Sequence, residues 1–177
     1  GGFTYSLTTS DTLVQLGLAA IAGGDLFWRG DLSGSWSQIS GANSNFSTDL
    51  AGTIDPGASP GAGNTVVFSS TAAPFTSTSV ISTTLDNNFF VNALKFTASP
   101  SGVTSITIAP GTLATNSLTI APGSSTEGID VADNAGAVTI SAPVVVGQDQ
   151  TWNVVGTGAN GSSLTLSGAM SGTSNLM

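Results

Sequence analysis

The chain has no cysteine and no histidine, and its 177 residues include only two basic side chains, Arg29 and Lys95. Each absence removes a class of chemistry. Without cysteine there is no disulfide, no thiolate nucleophile and no thiolate-bound zinc. Without histidine the commonest general base and the commonest metal ligand are missing. Two cations against ten acidic residues give a net charge of −8. Phosphate neutralisation needs clustered Lys and Arg, so nucleic acid is not an expected partner. Anionic membrane surfaces are disfavoured on the same ground. No run approaches the roughly 20 apolar residues of a spanning helix, so direct membrane insertion is not expected either. Leu16 to Ile21 followed by Ala22-Gly23-Gly24 has the look of a signal-peptide core, but Asp11 precedes it, no basic residue does, and Gly17 interrupts it. Absence of cysteine is compatible with export.

Hydrophobic residues make up 40% of the chain and charged residues 7%, against roughly 25% charged in ordinary soluble domains. Ser and Thr take the place of Lys and Glu on the solvated face, and Thr suits a pleated surface because it is β-branched. One phrase recurs: Val66-Val67-Phe68-Ser69, Leu94-Lys95-Phe96-Thr97, Leu118-Thr119-Ile120-Ala121, Val138-Thr139-Ile140-Ser141 and Leu164-Thr165-Leu166-Ser167. Successive copies start 28, 24, 20 and 26 residues apart. An imperfect period in that range marks a solenoid. No stretch holds a 3.6-residue apolar period with caps, so essentially no helix is predicted.

Phe3–Leu7 and Leu13–Leu18 alternate and read as a hairpin, with Thr8-Thr9-Ser10-Asp11 as its turn. Residues 25–62 hold Trp28, Trp36, Phe27 and Phe46 within a Gly/Ser/Asn/Pro-rich run, a composition that reads as a long loop pinned by aromatic residues. From Asn64 onward, short strands alternate with turns such as Asp86-Asn87-Asn88, Ala109-Pro110-Gly111 and Asp133-Asn134-Ala135-Gly136. Strands at that spacing fit a β-sandwich or a β-solenoid. The repeated phrase favours the solenoid, where stacked positions favour similar side chains. Phe68, Phe96, Ile120, Ile140 and Leu166 are the expected interior ladder, and five stacked copies would rise about 20–25 Å. The expected fold is all-β: a parallel β-helix with an N-terminal hairpin and an aromatic capping loop. The expected division is 1–24 as terminal strands of a preceding module or linker, 25–62 as the capping segment, and 63–177 as the solenoid of a longer repetitive chain.

Several stretches together resemble proteins with autotransporter-associated β-strand repeats. They are Trp28-Arg29-Gly30-Asp31, Gly34-Ser35-Trp36, Asn43-Ser44-Asn45-Phe46-Ser47-Thr48-Asp49, Pro60-Gly61-Ala62-Gly63-Asn64-Thr65-Val66-Val67-Phe68 and Leu85-Asp86-Asn87-Asn88-Phe89-Phe90-Val91-Asn92-Ala93-Leu94-Lys95-Phe96. Val146-Gly147-Gln148-Asp149-Gln150-Thr151-Trp152-Asn153-Val154 and Leu164-Thr165-Leu166-Ser167-Gly168-Ala169-Met170-Ser171-Gly172 extend the match over residues 25–177. Phe46 stands where the family pattern has Trp. The resemblance implies a right-handed parallel β-helix passenger on the cell surface of a bacterium, a structural, non-enzymatic module of an extracellular fibre. It also implies tandem copies, with identical or similar modules as partners.

Four groups of residues are candidates for chemistry. Arg29-Gly30-Asp31 is an RGD tripeptide, the integrin-binding sequence; alternatively Arg29 pairs with a nearby carboxylate. Glu127, Asp130, Asp133 and Asn134 form the densest oxygen cluster, the type of donor set calcium takes, although Asp133-Asn134 also reads as a turn pair. Calcium is the one cofactor this set would suit, and otherwise none is expected. Asp31, Asp49 and Asp55 share one loop; two converging carboxyls are what a glycosidase needs, but there is little nearby to tune them. Trp28, Trp36 and Trp152 offer faces for stacking surface glycans, or else plug and fill the solenoid.

Overall fold

Alternation of one apolar and one small polar residue puts every second side chain on one face of a strand. When strands wind around an axis, that face becomes the interior. A computed structural model describes residues 3–10, 13–20, 23–68, 80–97, 103–123, 126–156 and 161–177, and among them there is no helix. The chain opens with a separate antiparallel pair, β1 (Phe3–Ser10) and β2 (Leu13–Ala20). Thr8, Thr9 and Ser10 are not the turn the sequence suggested. They continue β1 and pair with Gln15, Val14 and Leu13, as β-branched Thr favours. The next segment contributes β3 (Gly24–Trp28), β4 (Ile39–Ser40), β5 (Asn43–Ser44) and β6 (Phe46–Ser47).

The solenoid follows as rungs of three strands. The first rung is β7 (Asn64–Phe68), β8 (Val80–Leu85) and β9 (Phe89–Val91). The second is β10 (Ala93–Phe96), β11 (Ser105–Pro110) and β12 (Leu118–Ile120). The third is β13 (Glu127–Val131), β14 (Ala137–Ile140) and β15 (Val144–Val146). The last is β16 (Thr151–Val154), β17 (Ser163–Leu166) and β18 (Met170–Gly172). Equivalent strands stack in parallel into three walls, ordered β7-β10-β13-β16, β8-β11-β14-β17 and β9-β12-β15-β18. The result is a β-solenoid of about three turns, and parallel pairing in every wall excludes the antiparallel β-sandwich. β3 adds a further parallel strand to the first wall, outside β7, and β6 closes that edge in antiparallel sense.

The interior is apolar and laid out in ladders. Leu26, Val66, Leu94 and Ile129 are stacked and buried along the first wall, and Trp152 ends the row half-buried. Phe68 lies on Phe96 with ring centroids 5.1 Å apart and planes 8° from parallel. Each buried Val, Leu, Ile or Phe contributes about 1.5–3 kcal/mol relative to exposure.

The recurring phrase does not form one ladder. Phe68 and Phe96 are neighbours on the first wall, continued by Val131. Ile120 lies on the third wall between Val91 and Val146. Ile140 and Leu166 lie on the second, above Thr83 and Ile108. Only the first and last intervals are single turns of the coil, so the five copies occupy four rungs instead of five. Along the first wall the true turn runs from Val66 to Leu94 to Ile129 to Trp152, steps of 28, 35 and 23 residues.

Those unequal steps arise at the corners. Between the first-wall and second-wall strands of successive rungs the sequence has 11, 8, 5 and 8 residues. Between the second and third walls the connections are 86–88, 141–143 and 167–169, with a longer 111–117 on the second rung. The shortest connection at the first corner holds Asn134 at φ 61° and Gly136 at φ 86°, left-handed conformations that Asn and Gly tolerate. Buried Ser162 ties this turn to the rung beyond: its Oγ donates to Ala132 O and accepts from Ala135 N.

Candidate functional site

Residues 23–63 close the end of the coil at the first rung, and their aromatic side chains do the closing. Pairing of β3 with β7 brings Trp28 over Phe68, centroids 6.1 Å apart. Trp36 arrives by another route. Ser35 bridges Thr84 in parallel, Trp36 N donates to Thr84 O at 3.0 Å, and Thr84 N donates to Gly34 O at 2.8 Å. Phe46 stands between the two tryptophans, edge-on to Trp28 at 5.2 Å and to Trp36 at 5.8 Å. Trp36 also meets Phe89 edge-on at 5.4 Å, and its Nε1 donates to Thr83 Oγ1 at 3.1 Å. All these rings are buried. Phe46 packs as part of this plug.

The burial corrects one expectation. Trp28 and Trp36 offer no open face for a sugar, because other rings and the first rung cover them. Trp152 is elsewhere, on the last rung, with its Nε1 donating to Gln150 Oε1 at 2.9 Å. The three tryptophans do not share a surface.

Polar residues fix the loop around the plug. Asn45, fully buried, is its hub. Its Oδ1 accepts from Leu32 N and Ser33 N, and its Nδ2 donates to Ser33 Oγ and Ser35 O. Its carbonyl accepts from Arg29 N and Gly30 N. Sequence reading passed over Asn45 because an Asn in a Gly/Ser-rich stretch looks like an ordinary turn residue; the signal was its place directly before the aromatic Phe46.

The carboxylates of the loop are taken up in the same way. Asp55 accepts from the backbone and hydroxyl of Ser44 and from Gly57 N. Asp49 accepts from Ser47 Oγ at 2.5 Å, from Thr53 N and Oγ1, both at 2.8 Å, and from Ile54 N at 2.6 Å. The Ser47 hydroxyl, followed by the Ile54 and Thr53 donors, holds the Asp49 carboxyl well below its ordinary range against a smaller opposing effect of burial. A general acid needs the opposite shift. Arg29 Nη2 contacts Asp31 at 2.5 Å and Nη1 lies 3.7 Å from Asp55. Within the RGD tripeptide the two charged side chains therefore bind each other.

The oxygen cluster is divided: Glu127 and Asp130 lie on β13, and Asp133 and Asn134 lie in the corner that follows it. Asp130 sits in register between Lys95 and Asn153, and its Oδ1 accepts from Asn153 Nδ2 at 3.0 Å. The register shifts between Glu127 and Ile129, a bulge at Gly128. Asp133 Oδ1 accepts from Asn134 N at 3.1 Å, a turn contact. Among the described residues no three His, Cys, Asp or Glu side chains are placed together to hold a metal ion. No helix among them is long and apolar enough to cross a membrane. No family model, curated protein or solved structure matches the chain.

Proposed function

We propose that this chain is a structural module of a secreted or surface-displayed repetitive fibre or stalk, joined to like modules by strand stacking. The observation that supports this reading is the difference between the two ends of the coil. At the first rung an aromatic plug and the antiparallel strand β6 cover the interior. At the last rung Trp152, Leu164 and Leu166 are only partly buried and Met170 is 47% exposed. From Gln150 to Met177 there is no charged residue and no proline, the devices with which native edges resist pairing. Further parallel pairing already begins there. Leu176 bridges Gln150, Gln150 N donates to Asn175 O at 3.0 Å, and Met177 N donates to Gln150 O at 2.9 Å.

The mechanism is physical. Each rung satisfies the backbone groups of the next, at about 0.5–1.5 kcal/mol net per hydrogen bond. A chain of net charge −8 repels its copies except where the surface is uncharged, and the last rung is such a surface. Sedimentation equilibrium over a wide concentration range tests the proposal. Association should grow with concentration and disappear in Thr165→Lys/Ser171→Lys, which places lysines on β17 and β18, two of the three edge strands of the last rung. A wild-type chain that stays monomeric throughout refutes it. A glycan array tests the alternative of a carbohydrate-binding adhesin module, which the burial of Trp28 and Trp36 leaves with little support.

A further inference from the structure

The interior positions of the last rung are uncovered, and we propose that the hairpin β1–β2 of a second copy of this chain covers them. The proposal rests on the reading that like modules associate, and it adds which element meets the last rung and in which polarity. Trp152 and Val154 stack in register on Ile129 and Val131, Leu164 and Leu166 on Val138 and Ile140, and Met170 on Val144. All five third-rung partners are buried. On the last rung Trp152, Leu164 and Leu166 are only partly buried, and Val154 and Met170 are exposed. Among the described residues no further strand extends the second or third wall beyond β17 and β18.

The hairpin is the counterpart of this surface. β1 and β2 pair with each other and belong to none of the three walls. A lone two-stranded hairpin is marginal in water and needs a surface against which to bury one face. Its register provides that face. The cross-strand partners Phe3–Ala20, Tyr5–Leu18 and Leu7–Leu16 share one side, whereas Thr4–Ala19, Ser6–Gly17 and Thr8–Gln15 share the other.

Two observations select the hairpin as the occupant. The chain covers its own first rung with the same kind of unit, the antiparallel pair of β3 and β6, which brings Trp28 and Phe46 to Phe68. Charge agrees with this. Neither β1 nor β2 contains a charged residue, and none lies between Gln150 and Met177. In a chain of net charge −8 these two surfaces meet without the repulsion that other contacts incur. The tether makes the contact intermolecular. β2 ends at Ala20 and β3 begins at Gly24, a span of at most ~14 Å. From β3 to β16 the first wall has four strand spacings, about 19 Å. The base of the hairpin therefore stays at the plugged end, and its apolar face meets the last rung of another copy. Such a head-to-tail contact is heterologous and builds an open row instead of a closed dimer.

Sedimentation equilibrium on complementary full-length variants tests the contact. Leu7→Lys/Leu16→Glu charges the apolar face of the hairpin, and the opposite signs preserve the cross-strand pair. Met170→Lys charges the last rung at a position that is already exposed. Each variant alone should be monomeric. An equimolar mixture should form a complex of twice the mass of one chain and grow no further, because each variant supplies the surface that the other lacks. Thr8→Lys, on the opposite face of the hairpin, should associate like the wild type. Unchanged Trp28 and Trp36 indole resonances establish that each variant is folded. Association of Leu7→Lys/Leu16→Glu by itself, a mixture that stays monomeric, or loss of association in Thr8→Lys overturns the role of the hairpin and leaves the association of like modules standing. A monomeric wild type overturns both.

Discussion

Replacing Trp36 with alanine tests whether the aromatic plug holds the first rung closed. The side chain is fully buried and touches Phe46, Phe68 and Phe89. Loss of its apolar surface together with the cavity left behind costs about 3–5 kcal/mol for a core Trp→Ala change. The ring contacts are already contained in that range. No orphaned hydroxyl adds to it, because Thr83 Oγ1 still donates to Thr107 O at 3.1 Å. Leu164→Ala at the opposite end removes a side chain that is only partly buried, so it should fall below the usual 2–5 kcal/mol of a core Leu→Ala change. Urea unfolding gives both values, with the slope checked because stacked repeats can lose two-state behaviour. Hydrogen exchange then locates the damage. Each rung contacts only its neighbours, so Trp36→Ala should strip protection from β7–β9 before β13–β15. A cost below about 1 kcal/mol, or protection lost equally on every rung, refutes the role assigned to the plug.

Asp49 and Gly128 give two further predictions. The folded Asp49 carboxyl titrates below its ordinary value of 3.8, so its stabilising effect is complete at pH values above that point. It is lost as pH falls through the depressed folded value. Asp49→Asn should remove this acid dependence, and identical acid-unfolding curves for the two proteins would rule it out. A Cβ at Gly128 would overlap Oε1 of the buried Gln150. Gln150 cannot easily move, because its Nε2 donates to Ile120 O and Gln148 O and its Oε1 accepts from Trp152 Nε1. Gly128→Ala should cost about 1–3 kcal/mol, and adding Gln150→Ala should cost less than the two single changes combined. Strict additivity in that double-mutant cycle would contradict it.

The sequence made most strands legible because burial writes a period of two into each of them. Leu94–Phe96 and Leu164–Leu166 lie in strands β10 and β17, where the alternation placed them. What alternation does not reveal is which wall a strand belongs to. All three walls present the same apolar, small polar, apolar order to one interior, so Ile120 and Ile140 read as rungs of the Phe68–Phe96 ladder while lying on other walls. The plug was visible as an excess of Trp and Phe. Its polar frame was not, since Asn45, Asp49 and Asp55 act through bonds from side chain to backbone that follow no period.

The unequal corners have a consequence for how such a molecule changes over time. The connections 69–79, 97–104 and 132–136 differ in length, yet Val66, Leu94 and Ile129 still meet in register. A difference in length between successive strands is therefore compatible with an unbroken register, although Val103 and Ala135 of these connections are themselves buried in the core. The length of these connections is free to vary while the paired walls and the buried Val103 and Ala135 remain constrained. New recognition elements can be acquired there without a new fold.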